Sequence, residues 1–291
     1  MIKGISIAWM WISRVWAMLT ALITLITGAI QGTPADIEGA HLVNETQYVL
    51  EEAYVMGQGL ACDENYFYTS GAISALYMGG LGKIDRKTGE LVQKKMFALS
   101  TEFTSKGYDH IGGIAYYDGK IYAPVEDKEE KYPLVLIYDA ETLEYTGTYY
   151  DCTVEYLDDG IPWCAVDYDR GYLYTSTFHN AEEIVAYNLD DMTFSHIIPL
   201  SQPVDRIQSG AYLDGKLYLN LDPHNEDATK TVYSVDIETG GVSLVFTRNT
   251  SGIETETEGI CVEKAKDGSV RFFIADYDKT VAMFLREYSI G

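Results

Sequence analysis

The residues best suited to chemistry in this chain are carboxylates and imidazoles that recur beside turns: Asp109 with His110, Glu126 with Asp127, His179, Asp222 with His224, Glu258 and Asp276. Carboxylates crowded near imidazoles change one another's proton affinity. Such a set suits general acid–base work, capture of a cation, or coordination of a divalent ion such as calcium. Gln208 would add an amide and Trp163 a surface for stacking. Glu126 and Asp127 are adjacent, so on a strand they point to opposite sides and do not form one catalytic pair. Asp276-Tyr-Asp278 would put two carboxylates on one side, without the rest of an EF-hand loop. H-E-x-x-H, G-x-S-x-G and G-x-x-x-x-G-K-[ST] are absent, and Gly57-Gln-Gly59 lacks the third glycine of a dinucleotide loop. Everything therefore depends on whether the fold gathers these scattered groups.

The elements that would gather them are announced by two alternating turn signals. The first is a hairpin on Asp-Gly, the type I′ dipeptide, in Gly113-Ile-Ala-Tyr-Tyr-Asp-Gly-Lys-Ile-Tyr122 and Gly210-Ala-Tyr-Leu-Asp-Gly-Lys-Leu-Tyr218. Looser copies end at Tyr68, Tyr174 and Phe273. The second signal is a strand, an Asp- or Asn-opened turn and another strand, as in Lys83-Ile-Asp-Arg-Lys-Thr-Gly-Glu90, Ile137 to Tyr145, Ala186 to Phe194 and Tyr233 to Val242. Together the two hairpins make a four-stranded antiparallel unit rich in Tyr, Val and Ile. That unit is a propeller blade.

Five copies, about fifty residues apart, predict an all-β, five-bladed β-propeller over residues 47–291. The last copy lacks a fourth strand, and Gln47 to Val55 is strand-like without a partner, so the N-terminal strand is expected to complete the last blade and cover both edges. A β-sandwich would not explain the repeated order of turns. In a propeller, the loops leading into the innermost strands and those joining second to third strands meet at one mouth of the central channel, where function usually gathers. The first set carries Gln58, Asp109, His110, Trp163, Asp205, Arg206, Gln208, Glu254, Glu256 and Glu258. The second carries Glu126, Asp127, His179, Asp222, His224, Asp276 and Asp278.

Composition bounds the partners. With 21 Lys+Arg against 44 Asp+Glu and a net charge of −23, nucleic acid would be repelled, and no basic cluster compensates. Residues 1–35 differ: Lys3 and Arg14 are their only charges before an apolar run, Val15 to Ile30, that predicts an export signal or an N-terminal membrane anchor with a linker at 36–46. Either places the propeller outside the cytoplasm. Cys62, Cys152, Cys164 and Cys261 are too few for a disulfide scaffold; Cys152 and Cys164 are read either as a local bridge or as two buried thiols. Asn44-Glu-Thr46 and Asn249-Thr-Ser251 are glycosylation sequons where the machinery exists.

The turn pattern resembles exported repeat propellers of the YVTN, quinoprotein-like and WD40-like group. Gly57-Gln-Gly-Leu60 through Tyr68-Thr-Ser-Gly71, followed by Lys83 to Glu90, is similar to the opening blade of five-bladed glutaminyl-peptide cyclotransferases. In that family a Glu usually accompanies a Ser-Thr-Gly-like turn; here the place is Thr69-Ser70-Gly71, so the resemblance implies the fold more than the reaction. The first expectation for function is a small molecule or peptide bound at the acidic mouth. A hydrolase or cyclase-like acyltransferase using rim carboxylates and histidines comes second, with a glycosidase as its variant, and a protein–protein scaffold third.

Overall fold

In the computed structural model, which describes residues 37–49, 55–73, 78–223, 229–249, 255–278 and 282–290, the chain is an all-β propeller of five antiparallel blades. Two strands, β1 (Ile37–Glu38) and β2 (His41–Val49), precede blade 1. Blade 1 runs outward as β3 (Leu60–Cys62), β4 (Tyr66–Ile73), β5 (Met78–Asp85) and β6 (Leu91–Lys95). One four-residue helix, α1 (Thr101–Thr104), leads to blade 2. Its inner position is shared by β7 (Tyr108–Ile111) and β8 (Ala115–Tyr117), both paired with β9 (Lys120–Asp127), then β10 (Leu134–Asp139) and β11 (Tyr145–Asp151). Blade 3 is β12 (Ala165–Asp167), β13 (Tyr172–Thr175), β14 (Ala181–Asn188) and β15 (Phe194–Val204). Blade 4 is β16 (Ile207–Leu213), β17 (Lys216–Leu221), β18 (Thr229–Asp236) and β19 (Val242–Asn249), with β1 added outside β19. Blade 5 is β20 (Thr255–Lys264), β21 (Val270–Asp278) and β22 (Ala282–Ile290), with β2 antiparallel on β22 and Tyr48 opposite Met283.

The turns take the geometry their residues demand. Asp118-Gly119 and Asp214-Gly215 all have positive φ, as a type I′ hairpin requires. In the second turn type, the carboxylates of Asp85, Asp139 and Asp236 each accept the backbone N–H groups two and three residues on. Gly89, Leu143, Met192 and Gly240 then reverse the chain with positive φ.

Each blade is buried on both faces, because successive side chains along a strand point to opposite sides and both sides meet another blade. In β9, Ile121 and Ala123 pack toward blade 1 while Tyr122 packs toward blade 3. In β21, Phe272 and Ile274 pack toward blade 4 and Phe273 and Ala275 toward blade 1. Five apolar clusters thus fill the five interfaces of the ring. Among the described residues strands begin at Ile37, inside the stretch expected to be a linker. The polar Val43-Asn-Glu-Thr46 masked them, and it suits an outermost strand with one wet side. The apolar segment 1–35 lies outside the described residues, as do His224 and Glu254; among the described residues no helix is long and apolar enough to cross a membrane.

Candidate functional site

The site is built around a cross-strand pair. His110 on β7 lies opposite Glu126 on β9, and the imidazole Nε2 stands 3.2 Å from Glu126 Oε2. Its Nδ1 meets Asp109 Oδ1 at 3.1 Å. Burial alone would lower the His110 pKa, but hydrogen bonds to the two carboxylates overcome that and raise it to about 10. The ring is therefore an imidazolium at neutral pH. Because the folded pKa is raised, the stability it contributes is complete below the unfolded value near 6.5 and disappears as pH rises through about 10. At pH 8 the ¹⁵N signals of His110 are expected to show both ring nitrogens protonated; a singly protonated ring at that pH would contradict the assignment.

Glu126 is 7% exposed, and its second oxygen, Oε1, is buried with no hydrogen-bond partner. It packs on Gly160, where φ is +89° and an added Cβ would sit 2.5 Å from Oε1. Only glycine fits there, which brings the loop ahead of blade 3 onto blade 2. From Gly160 the contacts continue into blades 3 and 4. Asp159 accepts the backbone N–H groups of Phe178 and His179, both at 2.9 Å. Exposed His179 meets Asp205 at 3.3 Å. Arg206 lies over the Phe178 ring and donates to the Asp222 carbonyl, and the Asp222 carboxylate is paired with buried Lys230.

Blade 5 contributes Glu258, 2% exposed, whose pKa is pushed well up. Burial is the main cause, followed by the negative charges of Glu256, Asp222 and Asp276, with Lys230 opposing. Its Oε1 is 3.5 Å from Gln58 Nε2 of blade 1, and Ser70 Oγ of blade 1 donates to the Gly112 carbonyl of blade 2. The chain of contacts thus visits all five blades. Asp109, His110, Glu126, His179, Asp222 and Glu258 all take part in it, and Gln208 sits half-buried at the start of β16.

Three candidates have other work. Asp127 points away from Glu126 and accepts the N–H groups of Glu129 and Tyr132, holding its own loop together. Trp163 is fully buried: its ring packs on Gly210 of blade 4 and its Nε1 donates to Ser176 Oγ, so it has no face to offer a ligand. Asp276 lies within β21 rather than in a loop, and Arg248 Nη2 and Arg286 Nη1 each donate to one of its oxygens at 2.6 Å. The side chain of Asp278 is not among those described. No three His, Cys, Asp or Glu side chains converge as metal ligands among the described residues, so the calcium expectation finds no ligand set there. Cys152 and Cys164 are unbridged, buried thiols in the apolar interface of blades 2 and 3.

Sequence reading missed Lys230, Asp159 and two residues of the loop from β9 to β10. In that loop Glu130 has its pKa raised by partial burial and then by the charges of Glu126 and Asp159. Tyr132, 63% exposed, ends the same loop, with its backbone N–H donated to Asp127. Lys-Glu-Glu-Lys-Tyr132, a charged run ending in an aromatic between two apolar strands, was the available signal.

No protein-family profile and no curated protein matches this chain. Solved structures do. The tail fibre of Staphylococcus aureus phage P68 is 14% identical, with a TM-score of 0.52, over 79% of this chain and 49% of its own. The Kuenenia stuttgartiensis hydrazine synthase is 14% identical, with a TM-score of 0.42, over 76% of this chain and 56% of its own. The WD40 repeats of RRP9 are 11% identical, with a TM-score of 0.43, over 84% of this chain and 66% of its own. The chain spans about half the length of the first two. Of these, the tail-fibre likeness bears on the fold alone.

Proposed function

We propose that this protein is an extracytoplasmic propeller, exported or tethered by its N-terminal segment, with β2 closing the ring, that binds a cationic group of a peptide or small molecule at the mouth between blades 2 and 3. One observation carries the reading: Glu126 holds a buried carboxylate oxygen without a partner on a rim where Asp109, Glu130, Asp159 and Asp205 outnumber the charge of His110. A buried acceptor left unpaired is costly, and an ammonium or guanidinium drawn to the rim would offset the excess negative charge around it. Exposed Tyr132 adds a ring face suited to a cation.

The test is calorimetric titration with a tetra-arginine peptide, against tetra-glutamate as control, at low and physiological salt. Tetra-arginine is expected to bind, more weakly as salt rises, and Glu126→Gln and Tyr132→Ala are each expected to weaken it by about fivefold. Equal binding of both peptides, or no change in either variant, would overturn the reading.

A second reading, acid–base catalysis of a hydrolytic or cyclase-like acyl transfer, is favoured by Glu258. A carboxyl whose proton affinity is pushed well up by burial, near Asp222 and Lys230, has the form of a general acid. Glutaminyl-peptide substrates, suggested by the resemblance of the first blade, are the ones to try. Turnover that Glu258→Gln abolishes while tetra-arginine binding persists would favour this reading.

A further inference from the structure

The opposite end of the channel holds a pair of cysteines that the mouth does not use. Cys62 ends the inner strand of blade 1, and Cys261 lies on the inner strand of blade 5. They are 199 positions apart in sequence. The two side chains pack in one apolar cluster at the joint between the first and last blades. Both line a cavity of about 130 Å³ with Leu60, Ala115, Val166 and Ile260. Cys62 is part-exposed and Cys261 buried.

The surroundings set this pair apart from Cys152 and Cys164. Arg86 of blade 1 crosses the same joint: it is held to Glu263 by two bonds of 2.8 Å and lies over the rings of Phe67 and Phe273, themselves 4.9 Å apart. Its charge interacts with both sulfurs. Burial pushes the Cys261 thiol well up, so the first attack falls to part-exposed Cys62, which the cavity opens to a small disulfide.

We propose that Cys62 and Cys261 form a reversible disulfide that covalently clasps blade 1 to blade 5. The oxidant is an external disulfide, either a small molecule or a thiol-exchange protein. Cys62 attacks one of its sulfurs, a mixed disulfide forms, and the first thiolate departs. Cys261 then attacks the Cys62 sulfur and expels the second thiolate. The two protons released by the cysteines end on the two departing thiols, so the external disulfide is reduced by the two electrons the protein loses. The clasp closes a long loop in the unfolded chain and thereby removes much of that chain's conformational freedom.

The experiment equilibrates the full chain with oxidised glutathione, blocks remaining thiols with iodoacetamide, and maps the peptides by mass spectrometry. The expected product is one Cys62–Cys261 crosslink, loss of two hydrogens, and alkylated Cys152 and Cys164. Thermal unfolding should rise on the order of 5–10 °C on oxidation and return on reduction. Cys62→Ser and Cys261→Ser should fold and show no such rise. Alkylation of both residues after oxidation, a crosslink elsewhere, or glutathione remaining on Cys62 would overturn the proposal.

Discussion

Asp276→Ala is expected to lower the free energy of unfolding by about 3–5 kcal/mol, the loss typical of removing one partner from a buried charge network. Asp276, Arg248 and Arg286 are each at most 1% exposed, and Asp276 pairs with guanidinia from the fourth strand of blade 4 and the third strand of blade 5. Glu45 takes a share of Arg286 at 2.7 Å, but Arg248 Nε and Nη1 already lack partners. With the carboxylate gone, Arg248 would be left charged and enclosed. The same group gives the protein an acid limit. Burial would raise its pKa, yet the two guanidinia hold it at about 2 against an ordinary 3.8. A depressed carboxylate contributes its stability above the unfolded pKa and loses it as pH falls through the folded one. Between about pH 4 and 2 roughly 2 kcal/mol should therefore vanish from the parent protein and not from Asp276→Ala. Urea unfolding at several pH values measures both. A loss under about 1 kcal/mol at pH 7, or parallel acid curves, would contradict the network's role.

Trp163→Ala should cost a similar amount, about 3–5 kcal/mol, for a different reason. The indole is enclosed where blades 2, 3 and 4 meet: Gly210 touches its six-membered ring, Gly113 lies against its Cβ, and Cys164 N donates to the Gly113 carbonyl at 2.9 Å. Gly210 is where it is because any Cβ would strike the ring at 2.5 Å. Removing the indole leaves a void that these backbones cannot close. Trp163→Phe should lose less, since it keeps most of the packing and forfeits the bond to Ser176. Because the ring is inaccessible, Trp163→Phe is also expected to bind tetra-arginine as the parent does. Chemical denaturation and calorimetry together check this, and a stable Trp163→Ala that binds more weakly would restore the indole as a ligand surface.

The fold was legible where local chemistry dictates a turn. Asp118-Gly119 and Asp214-Gly215 adopt the positive φ values that their type I′ reading requires, and the Asp-opened turns after Asp85, Asp139 and Asp236 close through their own carboxylates. The site was legible to the extent that it follows from those turns: His110 and Glu126 meet because β7 and β9 pair across a predicted hairpin. Burial was harder to read. Arg248, Lys230 and Arg286 occupy strand positions that alternation assigns to either face, and only the neighbouring blade decides that they are enclosed with acids. Asp159 acts through loops twenty residues apart in sequence, a separation at which no spacing rule operates.

The most direct test of the binding site is hydrogen exchange, followed by mass spectrometry, of the full chain with and without tetra-arginine. Slower exchange is expected in the mouth segments, residues 108–111, 124–132, 157–160 and 176–180, with no change at the opposite hairpin turns around 118–119 and 214–215. Protection at those opposite turns, or along the outer strands while the mouth exchanges as before, would contradict the account.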